Sequence, residues 1–511
     1  MMSLISMEFL LLVLVAAAGY YLIPKKFQWV WLLVFSYIYY VTGGVKVTCF
    51  LVFTTVTTWM AGVLLEKVAQ AEQDRFVCRR KKRQVLVTAL LLNFGMLAVL
   101  KYSNFAIRTV NMVFGSSQGE LDLLLPLGIS FYTFQSMGYI LDLYWERTKA
   151  EHNLFRFALF VSFFPQILQG PIGRFERLGT QLFASHSFDG RRIELSLLRI
   201  LWGYFKKMVI ADNAVIFVDA IFEDPTLYSG LAIAGALAYS IQLYCDFSGG
   251  MDVVIGIAGL FGIEMDENFK RPYFAVSITD FWHRWHITLG TWMKDYVFYP
   301  VSLSGWMRHF SKFAKKVFGK QTGRVLPICL ANIIVFLVVG IWHGAAWKFI
   351  FYGMYNGLII AFSGLMAPRY RKWKQALHIS DNSKGFHLFQ ILRTFLLVNI
   401  SWFFDRAYDV ESAFRMMKYA VTRFDLSQIL TIQIGEASGT TYTFIFLMVI
   451  LLGCLAVFIV SLLMEQGRDL EGFYVKQHWI LKCMLFAGLI LLLPALGQPA
   501  GEAGGFIYAQ F

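Results

Sequence analysis

Nine histidines occur in the 511 residues, and two of them sit where proton transfer would be useful. His343 lies in Ile341-Trp342-His343-Gly344, between two long apolar runs, and His286 closes Phe281-Trp282-His283-Arg284-Trp285-His286. An ionisable side chain held at membrane depth points to function, because burying it among lipid tails is costly. Imidazole has an ordinary pKa of about 6.5, so it can take a proton from a hydroxyl at neutral pH and hand it to a leaving group. An alcohol next to such a base becomes a competent nucleophile. The competing readings are structural: for His343 a ring bonded to a neighbouring carbonyl or hydroxyl, and for His286 membership of an interfacial belt of aromatic and basic residues. His152, His186, His309, His378, His387 and His478 fall in polar or flanking segments and read as solvated or interfacial.

Other chemistries lack support. The sequence has no phosphate-binding G-x-x-x-x-G-K-[ST] loop, no G-x-G-x-x-G fingerprint, no H-E-x-x-H helix and no G-x-S-x-G elbow, which removes the usual signatures of nucleotide hydrolysis, dinucleotide redox chemistry, zinc peptidases and serine hydrolases. Cys49, Cys78, Cys245, Cys329, Cys454 and Cys483 are scattered without a C-x-x-C pair, so neither a disulfide framework nor a metal site is implied.

The elements that must position the histidines are membrane helices. Hydrophobic residues make up 57% of the chain and charged residues 15%, against about 25% charged in a soluble domain, and that excludes an ordinary soluble enzyme. The many Phe, Tyr and Trp fit lipid-facing helices with rings at the headgroups. Lys and Arg exceed Asp and Glu by 46 to 33. Cytoplasmic loops that collect cations account for this excess, with attraction of an anionic donor as a further reading. Nucleic acid is not needed to explain it.

A spanning helix needs about 20 mostly apolar residues. Runs that qualify, or nearly do, lie at 4–23, 27–43, 46–65, 85–100, 121–143, 154–172, 198–211, 227–262, 325–341, 345–366, 388–404, 441–464 and 480–497. Roughly 11 or more membrane helices are expected, some too short to cross. The first run lacks a basic n-region and leads into Pro24-Lys25-Lys26, so it reads as a retained span with its N-terminus outside. The third and fourth runs are then joined by a cytoplasmic loop holding Arg79, Arg80, Lys81, Lys82 and Arg83, as the positive-inside rule prefers. Pro126, Gly128, Pro165, Gln166, Gln169, Gly170 and Pro171 interrupt helices at membrane depth, where irregular backbone must line a cavity or be covered by protein. From Asn268 to Arg324 aromatics alternate with bases, including Arg271, Arg284, Lys294, Lys312, Lys315 and Lys316, which reads as interfacial helices and loop on the cytoplasmic face. A second basic segment, Arg369 to Lys374, makes the two apolar runs between them a hairpin with His343 at its turn. With no internal repeat of solenoid period, residues 1–511 read as a single integral membrane domain.

Set side by side, these motifs resemble the membrane-bound O-acyltransferases, in the bacterial branch of alginate O-acetylases and teichoic acid D-alanyl transfer proteins. The resemblance is carried by the span ending in Pro24-Lys25-Lys26, by Leu125-Pro126-Leu127-Gly128-Ile129-Ser130-Phe131-Tyr132-Thr133-Phe134-Gln135, and by Phe164-Pro165-Gln166 with Gly170-Pro171-Ile172. It continues in Phe205-Lys206-Lys207 with Ala211-Asp212, Tyr244-Cys245-Asp246-Phe247-Ser248-Gly249, and Glu267-Asn268-Phe269 with Pro272-Tyr273. Its most specific parts are Phe281 to His286 with Leu289 and Asp295-Tyr296, and Trp342-His343-Gly344.

The resemblance implies an all-α, polytopic helical ring with a central tunnel or double funnel. It implies His343 as the active-site histidine and His286 as a second functional position. Asp246, Asn268, Trp282, Arg284, Trp285, Trp342 and Lys294 are the accompanying substrate-binding candidates. It implies no bound cofactor or metal, a thioester donor such as acetyl coenzyme A or an acyl carrier protein, an extracytoplasmic acetyltransferase-like partner, and a cell-surface polysaccharide acceptor. The ending Phe506-Ile507-Tyr508-Ala509-Gln510-Phe511 is similar to the alginate-acetylase type, and the length also favours acetyl over D-alanyl transfer. Two departures stand out: His283 occurs where many relatives have Arg, and Asn356 in Tyr355-Asn356-Gly357 where many have His, so position 356 cannot act as acid or base. D-alanyl transfer toward teichoic acid is the alternative. A polysaccharide transporter is a rival of another class, but the paired broken repeats it would bring are not found.

Overall fold

The computed structural model describes residues 2–380, 383–430, 432, 440–497 and 506. Every regular element among the described residues is helical, and the one extended pairing is an isolated antiparallel bridge between Phe269 and Trp285. Eight described helices are long and apolar enough to cross a membrane. The expectation of roughly 11 counted runs that the chain interrupts or shortens. Helix α1, Met7–Leu22, starts at a Ser6 cap and has 16 residues. Its length is about 24 Å, short of the roughly 30 Å hydrocarbon core.

After a helix at Gln28–Val41, which carries Ser36, come helices α2 (Val45–Ala71) and α3 (Arg75–Phe114). The expected basic loop between them is instead the start of α3: the Asp74 carboxylate accepts from the backbone of Phe76 at 2.7 Å and of Val77 at 3.3 Å, and this cap starts the helix before Arg79. The turn is only residues 72–74. With 40 residues, α3 is about 60 Å long, so its basic first turns extend beyond the bilayer while its apolar middle crosses.

The proline-bearing runs give short helices wrapped in protein. Helix α4 covers Ile129–Tyr144 and α5 covers Leu154–Ser162, after which residues 163–172 run irregularly and fully buried. Side chains supply the bonds that lipid cannot. Gln135 donates to the Phe160 carbonyl at 2.6 Å, and Gln166 donates to Gln135 at 3.0 Å. The Ser36 hydroxyl accepts from the Phe164 amide at 3.2 Å, and that of Thr288 from the Ile172 amide at 3.1 Å.

Helix α6 (Gly190–Tyr204) widens into a π-helical stretch at Phe205–Ala211 and packs on the long, largely buried α7 (Ala232–Leu260). The two short helices α8 (Ile278–Arg284) and α9 (Ile287–Met293) meet at His286. Helix α10, Gly305–His343, is broken at Gly319, whose φ of 79° is open to glycine and strained for other residues. The break separates an exposed basic segment holding Lys312, Lys315 and Lys316 from the apolar part, so the stretch expected as interfacial is helical and joined to a span. Helix α11, Trp347–Ala376, returns antiparallel to α10. The two backbones touch at Gly340 and Gly353, where a Cβ on Gly353 would lie 3.0 Å from Gly340 Cα; small residues let membrane helices approach this closely. His343 is the last residue of α10 and so lies at the hairpin turn. Helices α12 (Lys384–Arg406), α13 (Thr440–Glu465) and α14 (Trp479–Leu496) complete the set used below.

Candidate active site

The hairpin turn brings His343 to the protein interior, 4% exposed, and the junction of α8 and α9 brings in His286, 1% exposed. Trp342 stands between them, its ring centroid 5.4 Å from His286 and 5.2 Å from His343, edge-on to both. Phe131 of α4 and Phe247 of α7 close over His286, with centroids at 6.3 and 4.8 Å. Tyr352 of α11 lies 5.2 Å from the His343 ring. Two imidazoles in one aromatic enclosure are thus supplied by elements far apart in sequence.

The turn bearing His343 is held from α3. Lys101 Nζ donates to the Trp342 carbonyl at 2.8 Å, and the Tyr102 hydroxyl to the Ile341 carbonyl at 2.6 Å. These are carbonyls at the C-terminal end of α10, where the helix has no amides left to satisfy them and where a cation is favoured. Asp405 and Lys101 both bear electrostatically on His343. Asp405, at the end of α12, accepts from the Tyr239 hydroxyl at 2.7 Å, and its backbone carbonyl accepts from Lys348 at 3.0 Å.

His286 is held in a left-handed conformation, φ 48° and ψ 52°, by the preceding loop. The Asn268 carbonyl accepts from the Ile287 amide at 3.1 Å. Its side-chain Oδ1 accepts from the Thr288 amide at 2.9 Å and from the Thr288 hydroxyl at 2.7 Å. The Lys270 amide donates to the Arg284 carbonyl at 2.9 Å. Residues 268–270 therefore clamp both sides of His286 in a conformation that costs a non-glycine residue roughly 1–2 kcal/mol.

A cavity of about 10 Å³, room for about one water, lies against this constellation and is lined by Lys101, Ser130, Phe131, Leu168, Trp342 and His343 among others. Ser130 Oγ is buried there without a protein partner; a buried hydroxyl left so is a group to which a substrate oxygen can bond. Lys101 and Ser130 were not singled out as site residues from sequence. The signal for Lys101 was present, since it is the lone base directly after the apolar run 85–100.

The remaining sequence candidates spread outward. Trp282 Nε1 donates to Asn356 Oδ1 at 3.3 Å, and the Trp282 ring lies 6.3 Å from Tyr352. Asn356 is therefore a second-layer acceptor. Trp285 is 1% exposed and packs on Phe269 at 5.0 Å. Asp246, next to Phe247, bonds Lys207 at 2.7 Å, and Lys207 also pairs with Asp212 at 2.6 Å. A separate chain of ion pairs beside it joins Lys206 to Asp252 at 2.6 Å, Asp252 to Arg199 at 2.9 Å and Arg199 to Glu267 at 2.7 Å. Arg284 pairs with Asp280 and Glu465 at 3.0 and 2.9 Å, and Lys294 is exposed; neither lines the cavity beside His343. Of the terminal motif, Ile507 to Phe511 lie outside the described residues, while the Phe506 ring receives Lys207 Nζ at 5.0 Å. Among the described residues, no group of His, Cys, Asp and Glu is arranged to hold a metal ion.

Residues 146–398 match the profile of MBOAT, the membrane-bound O-acyltransferase family. The chain is 34% identical over 404 residues to a probable alginate O-acetylase AlgI of Pseudomonas aeruginosa, covering 78% of this chain and 70% of that one. It is 32% identical over 424 residues to a peptidoglycan O-acetyltransferase of Helicobacter pylori, covering 78% and 73%. A teichoic acid D-alanyltransferase of Bacillus subtilis is 30% identical over 259 residues, 50% and 62% of the two chains.

Proposed function

Because this multi-pass membrane protein belongs to the membrane-bound O-acyltransferase family, we propose that it moves an acetyl group from a cytoplasmic thioester, acetyl coenzyme A, toward hydroxyls of a cell-surface or exported polysaccharide. The observation that carries this reading is the pair of buried histidines on either side of Trp342, with His343 at a small cavity beside a Lys101 ammonium and an unpartnered Ser130 hydroxyl.

In the proposed reaction His343 takes the proton of the acceptor hydroxyl as its oxygen bonds to the acyl carbon. The carbon–sulfur bond of the thioester then breaks, and His343 returns the proton to the departing sulfur. Lys101 and Ser130 are placed to stabilise charge developing on the acyl oxygen, the kind of stabilisation worth several kcal/mol in a site without water. The aromatic enclosure excludes water that would hydrolyse the donor. His286, fixed by the Asn268 clamp, supports the reaction from the donor side. Trp282, Trp285 and Trp342 shape the passage, while Arg284, Lys294 and the exposed lysines of α10 meet the anionic donor. The whole of 1–511 acts as one domain, with its N-terminus extracytoplasmic and the start of α3 in the cytoplasm. The acyl group is passed to an extracytoplasmic acetyltransferase-like partner that completes the transfer.

Acetyl transfer is favoured over D-alanyl transfer because the match to O-acetylating relatives spans 404 to 424 residues, and that to the D-alanyltransferase 259. The test is to load liposomes containing the protein with either labelled acetyl coenzyme A or a D-alanyl carrier protein. The label should leave only from the acetyl donor, and transfer from the carrier protein alone would overturn the choice.

A further inference from the structure

A second and larger cavity of about 130 Å³ lies between α7 and α13, on the far side of the aromatic layer behind His286. We propose that it holds an acyl chain of an anionic phospholipid, with the phosphate taken by Arg271 at the cavity mouth. The site stands apart from the acyl-transfer reading, with Arg284 at the edge of its mouth the one residue common to both.

Size and lining point to an apolar occupant. Cys454, Val457, Phe458 and Ser461 form one face of α13, at the i, i+3, i+4, i+7 spacing of a helix stripe, and meet Tyr244 and Cys245 of α7. An apolar cavity of about 150 Å³ stays dry and admits benzene, so about six carbons of a chain fit here. Depth agrees with this. Glu465 ends α13, whose 26 residues cover the bilayer core, and Ser461 to Cys454 lie about 6 to 16 Å below it along the helix axis. Lipid tails occupy that depth. The side wall is Phe274 stacked on Phe458, with centroids 5.8 Å apart and Phe458 half exposed at the edge of that lining face, so the cavity is one ring away from the surrounding lipid.

The mouth favours an anion. Arg271 lines the cavity and spends its Nε on Glu465 at 2.5 Å; a guanidinium has five N–H donors, which leaves others for a phosphate. Arg284 shares Glu465 with it at 2.9 Å, and Arg393 reaches the same loop through the Val276 carbonyl at 2.7 Å. These three arginines outnumber the two carboxylates they meet, Asp280 and Glu465, and basic pockets between membrane helices are where anionic headgroups bind. The occupied cavity would buttress Tyr244 and Tyr273, whose rings lie 6.3 and 6.2 Å from Trp285, beside His286.

The experiment is photocrosslinking of the full-length protein in nanodiscs. One preparation carries phosphatidylglycerol with a diazirine in its tail and the other phosphatidylcholine with the same tail, and adducts are mapped by peptide mass spectrometry. Adducts are expected within 241–245 or 454–461, about tenfold more from phosphatidylglycerol, with the preference lost in Arg271→Gln. Cys454→Phe fills the cavity and should remove these adducts from both lipids; filling an apolar cavity usually raises stability, and Val457→Leu is a milder filling if the first variant is not monodisperse. Equal labelling by the two lipids, adducts only elsewhere, or labelling undiminished in a folded filled variant would each overturn the proposal.

Discussion

Asn268→Ala should lower both stability and turnover, and the sizes follow from the bonds it makes. Its Oδ1 accepts from the Thr288 amide and hydroxyl at 2.9 and 2.7 Å, and the residue is fully buried. Truncation leaves the amide without an acceptor, while the hydroxyl can rotate to seek another, so about one buried donor is lost at about 1–3 kcal/mol. The effect on the site is larger. His286 keeps its left-handed backbone only because residues 268–270 grip both sides of it, and once Thr288 is released the roughly 1–2 kcal/mol of local strain favours a relaxed turn. A ring displaced by about 1 Å is enough to lower a rate on the order of 100-fold. The expected result is a reduced melting temperature and a turnover lower by about 10- to 100-fold, with donor affinity little changed. Asn268→Asp keeps the acceptor and should recover part of the turnover. The assay is acyl transfer by purified variants in lipid, alongside thermal unfolding. If the Asn268 side chain instead contacts substrate, Asn268→Ala will raise KM at an unchanged melting temperature. A variant with native melting and native turnover would refute the clamp.

Three further outcomes can be checked. Lys101→Met removes the cation from the end of α10, a stability loss of up to about 2 kcal/mol, and from the cavity, where it faces the developing oxyanion; kcat should fall about tenfold or more while the variant still folds, as read by turnover and size-exclusion profile. Donor affinity should weaken as salt rises, because exposed charges are screened beyond about 8–10 Å, and neutralising Lys312, Lys315 and Lys316 together should flatten that dependence in a binding titration. In intact cells Cys78 should react with a membrane-permeant maleimide and resist an impermeant one; labelling by the impermeant reagent without lysis would invert the topology.

How much could be read from the chain depended on whether a feature is local. The hairpin at His343 was legible because two apolar runs and two basic segments bracket it within about a hundred residues of sequence. The interrupted runs around Pro126, Pro165 and Pro171 were legible as irregular backbone needing cover, which Gln135, Gln166 and Ser36 provide. The Arg79–Arg83 loop was not read correctly, because a run of bases looks like a loop whereas a single Asp74 cap starts the helix ahead of it. The clamp on His286 was hidden, since it depends on hydrogen bonds across twenty residues and on a backbone conformation that no residue type announces. Asp246 and Asn268 stood out through their motifs, but nothing in those motifs indicated that their side chains bond inward to Lys207 and Thr288. The apolar cavity behind Trp285 was likewise invisible, because it forms where α13 leaves α7 unfilled.

The central claim is that His343 is the base, and His343→Ala tests it most directly. One truncated side chain at a cavity wall removes little packing, so the variant should purify from membranes as a monodisperse protein. Its acyl transfer, measured in lipid with the thioester donor and a hydroxyl acceptor supplied, should be lower by about 10² to 10⁴, the usual worth of a positioned proton-transfer group. Near-native turnover in a well-folded His343→Ala protein would contradict the account.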